Sequence, residues 1–227
     1  EETEALRRGT AVHLAVLEPE LFLAHYALEP DPAAVAPGNA KPRATNAYRE
    51  AVARLEGQGK RVLKVEEMGH VAGMAAAVMR HSVAARLIAK SEQHEVTAVW
   101  EERGRLCRGR FDLLGTDTVA DLKTTRSLAR FSPWELTRLG YYRQAGWYME
   151  GARLLGLRPK HFFFIAVEST PPYDVGVFVM DEAALKVGQQ ECEVLINRLE
   201  QCERTGEWPG MFPELQEAQL TDYAAMR

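Results

Sequence analysis

The sequence predicts an α+β fold: a mixed, mostly antiparallel β-sheet flanked by helices. Three observations lead there. Residues 1–93 read mainly as helices. From His94 the periodicity changes to strand-like alternation, with turn signals at Arg103-Gly104 and at Gly115-Thr-Asp-Thr118. The remainder then reads as helix, two strands, helix. The chain has 227 residues, 46% apolar and 26% charged, ordinary globular values that exclude disordered, collagen-like and coiled-coil classes. This length supports one domain with a full core. The expected division is a mainly helical part at 1–93, an αβ core at 94–208 and a tail at 209–227.

Element by element, Thr10 to Leu17 reads as a short helix capped by Thr10. Residues 29–45 hold four of the eleven prolines (Pro30, Pro32, Pro37, Pro42) and a Gly-Asn pair, and so read as an irregular connection. Its length suggests a lid, a subunit arm or mobility. Thr45 to Leu55 reads as a helix stopped by Gly57, Arg61 to Val65 as a short strand, and Glu66 to Met79 and Ser82 to Lys90 as helices. His94 to Glu102, Leu106 to Leu114 and Val119 to Thr124 form a β-meander. Ser132-Pro133-Trp134-Glu135 carries a helix-start signature, with Ser132 at N-cap, Pro133 at N1 and Glu135 closing a capping box. This helix is expected to run to Leu155. His161 to Val167 and Val175 to Met180 read as hairpin strands across Pro171-Pro172, and Asp181 opens a last helix ending near Gly206.

No apolar run approaches the ~20 residues of a membrane span, and the first ten residues contain no apolar signal core. A soluble, intracellular (cytoplasmic) protein with no membrane partner is the expectation. The chain begins at Glu1 without Met, which suggests a piece of a longer protein. Cys107, Cys192 and Cys202 are an odd set without metal-ligand spacing, and they fit reduced thiols better than a disulfide framework or a four-Cys metal site. The formal charge of −4 disfavours indiscriminate nucleic-acid binding but allows a local basic groove.

The chemistry concentrates in Arg110-Phe-Asp112 and Asp121-Leu-Lys123. On a strand, i and i+2 share a face, so Asp121 and Lys123 project together while Ala120 and Leu122 point into the core. Asp112, on the preceding strand, can stand beside Asp121. Two adjacent carboxylates repel unless a proton or cation lies between them. A hard divalent ion such as Mg²⁺, with Mn²⁺ as substitute, takes oxygen ligands of this kind. The Leu122 carbonyl could add another. Lys123 could then orient or deprotonate a water acidified by the ion. By itself, D-x8-D-x-K fits a surface hairpin with a cross-strand salt bridge equally well. Gln144 and Tyr148 are i and i+4 on the following helix and share a face, suited either to orienting a phosphate or to packing. His13, early in the first helix, could be a ligand or a core histidine.

Four arginines lie within Arg103–Arg110. Arg108 and Arg110 share a strand face with Asp112 and are candidate DNA-phosphate contacts, and Arg126 and Arg130 follow the lysine strand. The alternative is a charged hairpin edge. Trp100, Trp134 and Trp147, with Phe162 to Phe164, read as core.

These pieces resemble the RecE-type exonucleases (exodeoxyribonuclease VIII) of the PD-(D/E)XK nuclease superfamily. The matching segments are Gly9-Thr-Ala-Val-His13 with Leu17-Glu-Pro19 and Phe22; Gly104-Arg-Leu-Cys-Arg-Gly-Arg-Phe-Asp112; Asp121-Leu-Lys-Thr-Thr125; Arg130-Phe131; Gln144-x-x-x-Tyr148; and Glu207-Trp-Pro209. They span most of the chain in the family's order. Tyr142 stands where the family's pattern has His. The resemblance implies a PD-(D/E)XK, restriction-endonuclease-like core. It implies His13, Asp112, Asp121 and the Leu122 carbonyl as metal ligands, and Lys123, Gln144 and Tyr148 in catalysis. It further implies a bacterial or phage-encoded Mg²⁺-dependent exonuclease acting 5′ to 3′ on double-stranded DNA ends, leaving 3′ tails for recombination. A ring-shaped homo-oligomer and a RecT-like single-strand annealing partner belong to the same implication. An endonuclease of restriction or repair type and a catalytically inactive DNA-binding module are the alternatives.

Overall fold

The computed structural model describes residues 3–210, 214, 215 and 217. Two compact units divide the chain, 1–189 and 190–227, and the division falls within its last helix. All the candidate site residues belong to the first unit.

The first unit opens with α1 (Glu4–Leu17), which starts about two turns earlier than the Thr10 cap predicts. Thr3 is the cap, its hydroxyl accepting from the Leu6 amide, whereas the Thr10 hydroxyl donates back to the Leu6 carbonyl. Then follow α2 (Pro19–His25), β1 (Tyr26–Leu28), α3 (Pro32–Val35), a 3₁₀ turn at Pro42–Ala44, α4 (Asn46–Glu56) and β2 (Arg61–Leu63). The strand β2 falls within the short strand expected at Arg61 to Val65; the helix α2 and β1, its parallel partner, went unpredicted, since three residues leave too little sequence for a period to register. The proline-rich 29–45 stretch is irregular, as expected, with two short helical turns. Its two ends are tied together at Glu29, which is buried. The Glu29 carboxylate accepts a bidentate pair from Arg43 (2.6 and 2.8 Å), the Tyr48 hydroxyl and the Val65 amide.

Next come α5 (Val65–Arg80) and α6 (Ser82–Lys90), then β3 (Gln93–Glu102), β4 (Arg105–Leu114) and β5 (Thr118–Thr125). Arg103 and Gly104 both take positive φ (53° and 75°) in the β3–β4 hairpin, the left-handed pair that a two-residue connection favours. After β5 the predicted single helix is broken. Short helical turns α7 (Leu128–Arg130) and α8 (Leu136–Arg138) flank an irregular turn at Phe131–Glu135. Glu135 accepts the Thr125 hydroxyl at 2.9 Å, and Gly140, at φ 68°, ends the run before α9 (Tyr141–Leu154) begins. The unit closes with β6 (His161–Glu168), β7 (Val175–Val179) and the start of α10 (Glu182–Thr205).

The main sheet has the order β3-β4-β5-β6-β7, parallel between β5 and β6 and antiparallel elsewhere. One face, with Leu113, Ala120, Leu122, Ile165 and Val167, packs on Val12 and Val16 of α1 and Val71, Met74 and Val78 of α5. The other, with Phe111, Val119, Phe162 and Phe164, packs on Ala145, Met149 and Ala152 of α9. Alternation along β5 therefore places Asp121 and Lys123 on one face, as predicted, and that face is the α9 side. α9 is seated in turn by α10: a Cβ at Gly146 would lie 2.6 Å from the Gln189 nitrogen, so only glycine permits that approach.

In the second unit α10 continues to Thr205, and Gly206 takes φ 74° just beyond it, as a helix end favours. Of the expected 209–227 tail, residues 209, 210, 214, 215 and 217 are described; the rest lies outside the described residues. The three cysteines are unbridged. Among the described residues no single helix is long and apolar enough to cross a membrane.

Candidate active site

The site forms where β4 and β5 part. Their ladder pairs Leu113 with Ala120 and Leu114 with Val119. One step further the Leu122 amide donates instead to Asp112 Oδ2, at 2.7 Å. A side-chain carboxylate thus replaces a backbone carbonyl, and the strands splay around it. In an extended strand a residue's N–H and C=O point to the same side, so the Leu122 carbonyl also faces this gap.

On the other flank of β4, the β3–β4 ladder is interrupted opposite Asp112, at Glu95. Glu95 takes φ 50°, a left-handed conformation costly for a residue with a Cβ. The turn aims its carboxylate into the gap. There Glu95 Oε1 lies 3.3 Å from His13 Nδ1, and Arg110 Nε donates to Glu95 Oε2 at 2.7 Å. His13 Nδ1 is also 3.4 Å from Asp112 Oδ2. One ligand atom from each of His13, Glu95 and Asp112 lies within 4.8 Å of the others.

Asp121 stands across the gap, 2% exposed. Gln144 of α9 donates to its Oδ1 at 2.5 Å. Its Oδ2 is ion-paired with Lys123 Nζ at 2.5 Å. Lys123 also sits over the Tyr141 ring, 4.8 Å from its centroid. Tyr148, one helical turn past Gln144, packs on Phe111 with centroids 4.6 Å apart. These groups line a cavity of about 480 Å³ that also takes in Gly9, Thr10 and Leu122.

The electrostatics are those of a site short of positive charge. Burial, then the adjacent Asp121, push the Asp112 carboxyl up to about 7, against the pull of His13 and Lys123. Burial alone would lower the His13 pKa, but the bond to Glu95 and the charges of Asp112 and Asp121 outweigh it and raise it. Burial likewise opposes the charge on Lys123, and Asp121 outweighs it, so the ammonium is held above its ordinary value. Glu95 is held low: burial raises it, and its bonds to His13 and Arg110 more than reverse that. A divalent cation fits this donor set. Carboxylate oxygens and an imidazole nitrogen suit Mg²⁺ or Mn²⁺, and Asp112, pushed up by burial and by the facing Asp121, is a group that a cation would satisfy.

The structure thus brings together His13, Asp112, Asp121, Leu122, Lys123, Gln144 and Tyr148. Arg110 lines the cavity too, although its guanidinium is engaged with Glu95. Arg108 lies on the exposed part of β4, outside the cavity lining. Sequence reasoning missed Glu95, because nothing in His94-Glu-Val-Thr marks a left-handed residue inside a strand. Trp100 is core, as expected, but Trp134 is 70% exposed, which corrects its assignment to the core: the break before α9 leaves it on a turn.

The family model described as a "PDDEXK-like domain of unknown function (DUF3799)" matches residues 1–218. In structure the chain is similar to the crystal structure of a "Putative exonuclease" from Eubacterium rectale. The TM-score is 0.56 at 13% identity, over 91% of this chain and 83% of that one, a likeness of fold. No curated protein matches the sequence. The chain belongs to this PDDEXK-like family, and so to the PD-(D/E)XK nuclease superfamily, whose members are typically dependent on a divalent metal.

Proposed function

We propose that this PDDEXK-like protein is a Mg²⁺-dependent double-stranded DNA exonuclease of the RecE type, cutting phosphodiester bonds from a 5′ end and leaving a 3′ tail. The observation that carries the nuclease reading is the convergence of Asp112 and Asp121 at the splayed β4–β5 edge, with Lys123 paired to Asp121 and His13 and Glu95 beside Asp112. The exonuclease assignment, the polarity and the RecE type rest on the sequence resemblance; the neighbour from E. rectale adds a likeness of fold.

His13, Glu95, Asp112, Asp121 and the Leu122 carbonyl would hold the cation. When bound, it acidifies a water and offsets charge on a phosphoryl oxygen. Gln144 fixes the orientation of Asp121 by donating to Oδ1. Arg110 fixes Glu95. Lys123 holds its proton at Nζ and can donate to a phosphate oxygen or to the attacking water. The phenol of Tyr148 stays protonated, its pKa raised first by burial and then by Asp121, and closes the cavity wall. The resemblance extends the proposal to a ring of subunits around DNA, with a single-strand annealing protein taking up the 3′ tail.

Linear duplexes labelled at either end, with and without 5′-phosphate, test this reading. Mg²⁺-dependent release from the 5′ end, abolished in Asp121→Ala and Lys123→Ala, is expected. Cleavage of a covalently closed circle would replace the exonuclease with an endonuclease. Full activity in either variant, or after exhaustive EDTA treatment, would overturn the site.

A further inference from the structure

A second cavity, about 860 Å³, adjoins the catalytic one, and Ala5, Thr124 and Tyr141 line both. Its lining differs from that of the metal cluster. Arg8, Arg126, Arg130 and Arg138 contribute guanidinium groups and Trp134 an indole. Two acids stand against these four guanidinium groups: Glu4 pairs with Arg8 at 2.7 Å, and Glu135 accepts the Thr125 hydroxyl and keeps its charge. Arg126, Arg130 and Arg138 are exposed and carry no ion pair among the described residues. The cavity lining therefore has a net positive charge, four guanidinium groups to two carboxylates, in a chain whose formal charge is −4.

Trp134 sharpens the identification. At 70% exposure it leaves a large apolar ring in water at the edge of a basic cavity. A phosphate ligand alone would not call for such a ring. A polyanion with flat apolar groups along it would, and single-stranded nucleic acid is that polymer: bases stack on aromatic faces while basic side chains follow the backbone. Bases within a duplex have both faces covered and cannot stack this way.

We infer that this cavity seats an unpaired stretch of DNA leading to or from the catalytic centre, with a base stacked on Trp134 and its phosphates on Arg126, Arg130 and Arg138. The inference rests on the nuclease reading for the identity of the adjoining site, but its test does not require hydrolysis.

The test is fluorescence anisotropy of a labelled 12-nucleotide oligo(dT), and of a 12-base-pair duplex, with the whole chain in EDTA. Trp134→Ala should weaken oligo(dT) binding about tenfold or more, and Trp134→Phe should restore most of it. Arg126→Ala with Arg130→Ala should lower the slope of log K against log salt by about 1.4, at ~0.7 per phosphate lost from a single strand. Unchanged binding in Trp134→Ala, an equal loss on the duplex, or no binding by the wild type would overturn the inference. Duplex digestion with Mg²⁺, run alongside, separates the two claims. A wild type that binds through Trp134 but cuts nothing defeats the nuclease reading alone. A wild type that cuts, with Trp134→Ala binding normally, defeats this inference alone.

Discussion

Glu29 and Asp112 are both buried carboxylates, 4% and 7% exposed, yet their surroundings push them in opposite directions. Glu29 receives Arg43, Tyr48 and the Val65 amide, and the Arg43 guanidinium above all holds its carboxyl at about 2. Asp112 has the Leu122 amide and a shared imidazole, faces a second aspartate, and rises to about 7. One carboxylate is satisfied by the chain itself and pins a loop. The other has fewer donors and a second aspartate beside it, a setting that a cation from outside would complete. Burial is common to both, and the supply of donors separates structure from function.

The sharpest way to break this contrast is to neutralise each acid. Asp112→Asn should cut DNA hydrolysis about 1,000-fold or more, yet raise the melting temperature in EDTA, because it removes an unfavourable buried charge. Glu29→Gln should leave hydrolysis unchanged and lower stability by about 2–4 kcal/mol. Thermal melts and a cleavage assay on both variants check this. A melting temperature that falls in Asp112→Asn would show that the two sites are alike.

Glu95→Gln comes next. It removes a charge from the cluster but keeps the shape, and should weaken Mn²⁺ binding about 10–100-fold by titration. An unchanged affinity would restrict the ligand set to His13, Asp112 and Asp121.

The smallest effect is a difference in pH dependence. Glu29, held low, contributes stability that is present above its unfolded value of 4.5 and lost as pH falls toward about 2. Asp112, held high, contributes stability that is present below 3.8 and lost as pH rises through about 7, and His13, also raised, acts in the same sense. In EDTA the wild type should therefore lose stability between about pH 4 and 7, and Asp112→Asn should flatten that fall. Denaturant melts across the range would show it, and a wild-type curve rising over the window would contradict it.

Much of this was legible in the sequence. Strand alternation put Asp121 and Lys123 on one face, and the β4–β5 turn put Asp112 beside them, because period-2 geometry is local. The resemblance supplied His13, which the fold brings to 3.4 Å from Asp112. Three features were not legible, each for a tertiary reason. Ser132-Pro133-Trp134-Glu135 has the local chemistry of a long helix start, but Thr125 engages Glu135 from another strand and Gly140 breaks the run. Glu95 enters the site through a left-handed backbone at a break in the β3–β4 ladder. Trp134 reads as core by composition, and only that helix break exposes it.

We propose that His13, Glu95, Asp112 and Asp121 form one cation site. Titration of Mn²⁺ into the protein, followed by electron paramagnetic resonance of the free ion, tests it most directly. Saturable loss of the free-ion signal in the wild type, abolished by Asp112→Asn together with Asp121→Asn while the fold is retained, is the predicted result. Equal Mn²⁺ uptake by the wild type and the double variant, or none by either, would contradict it.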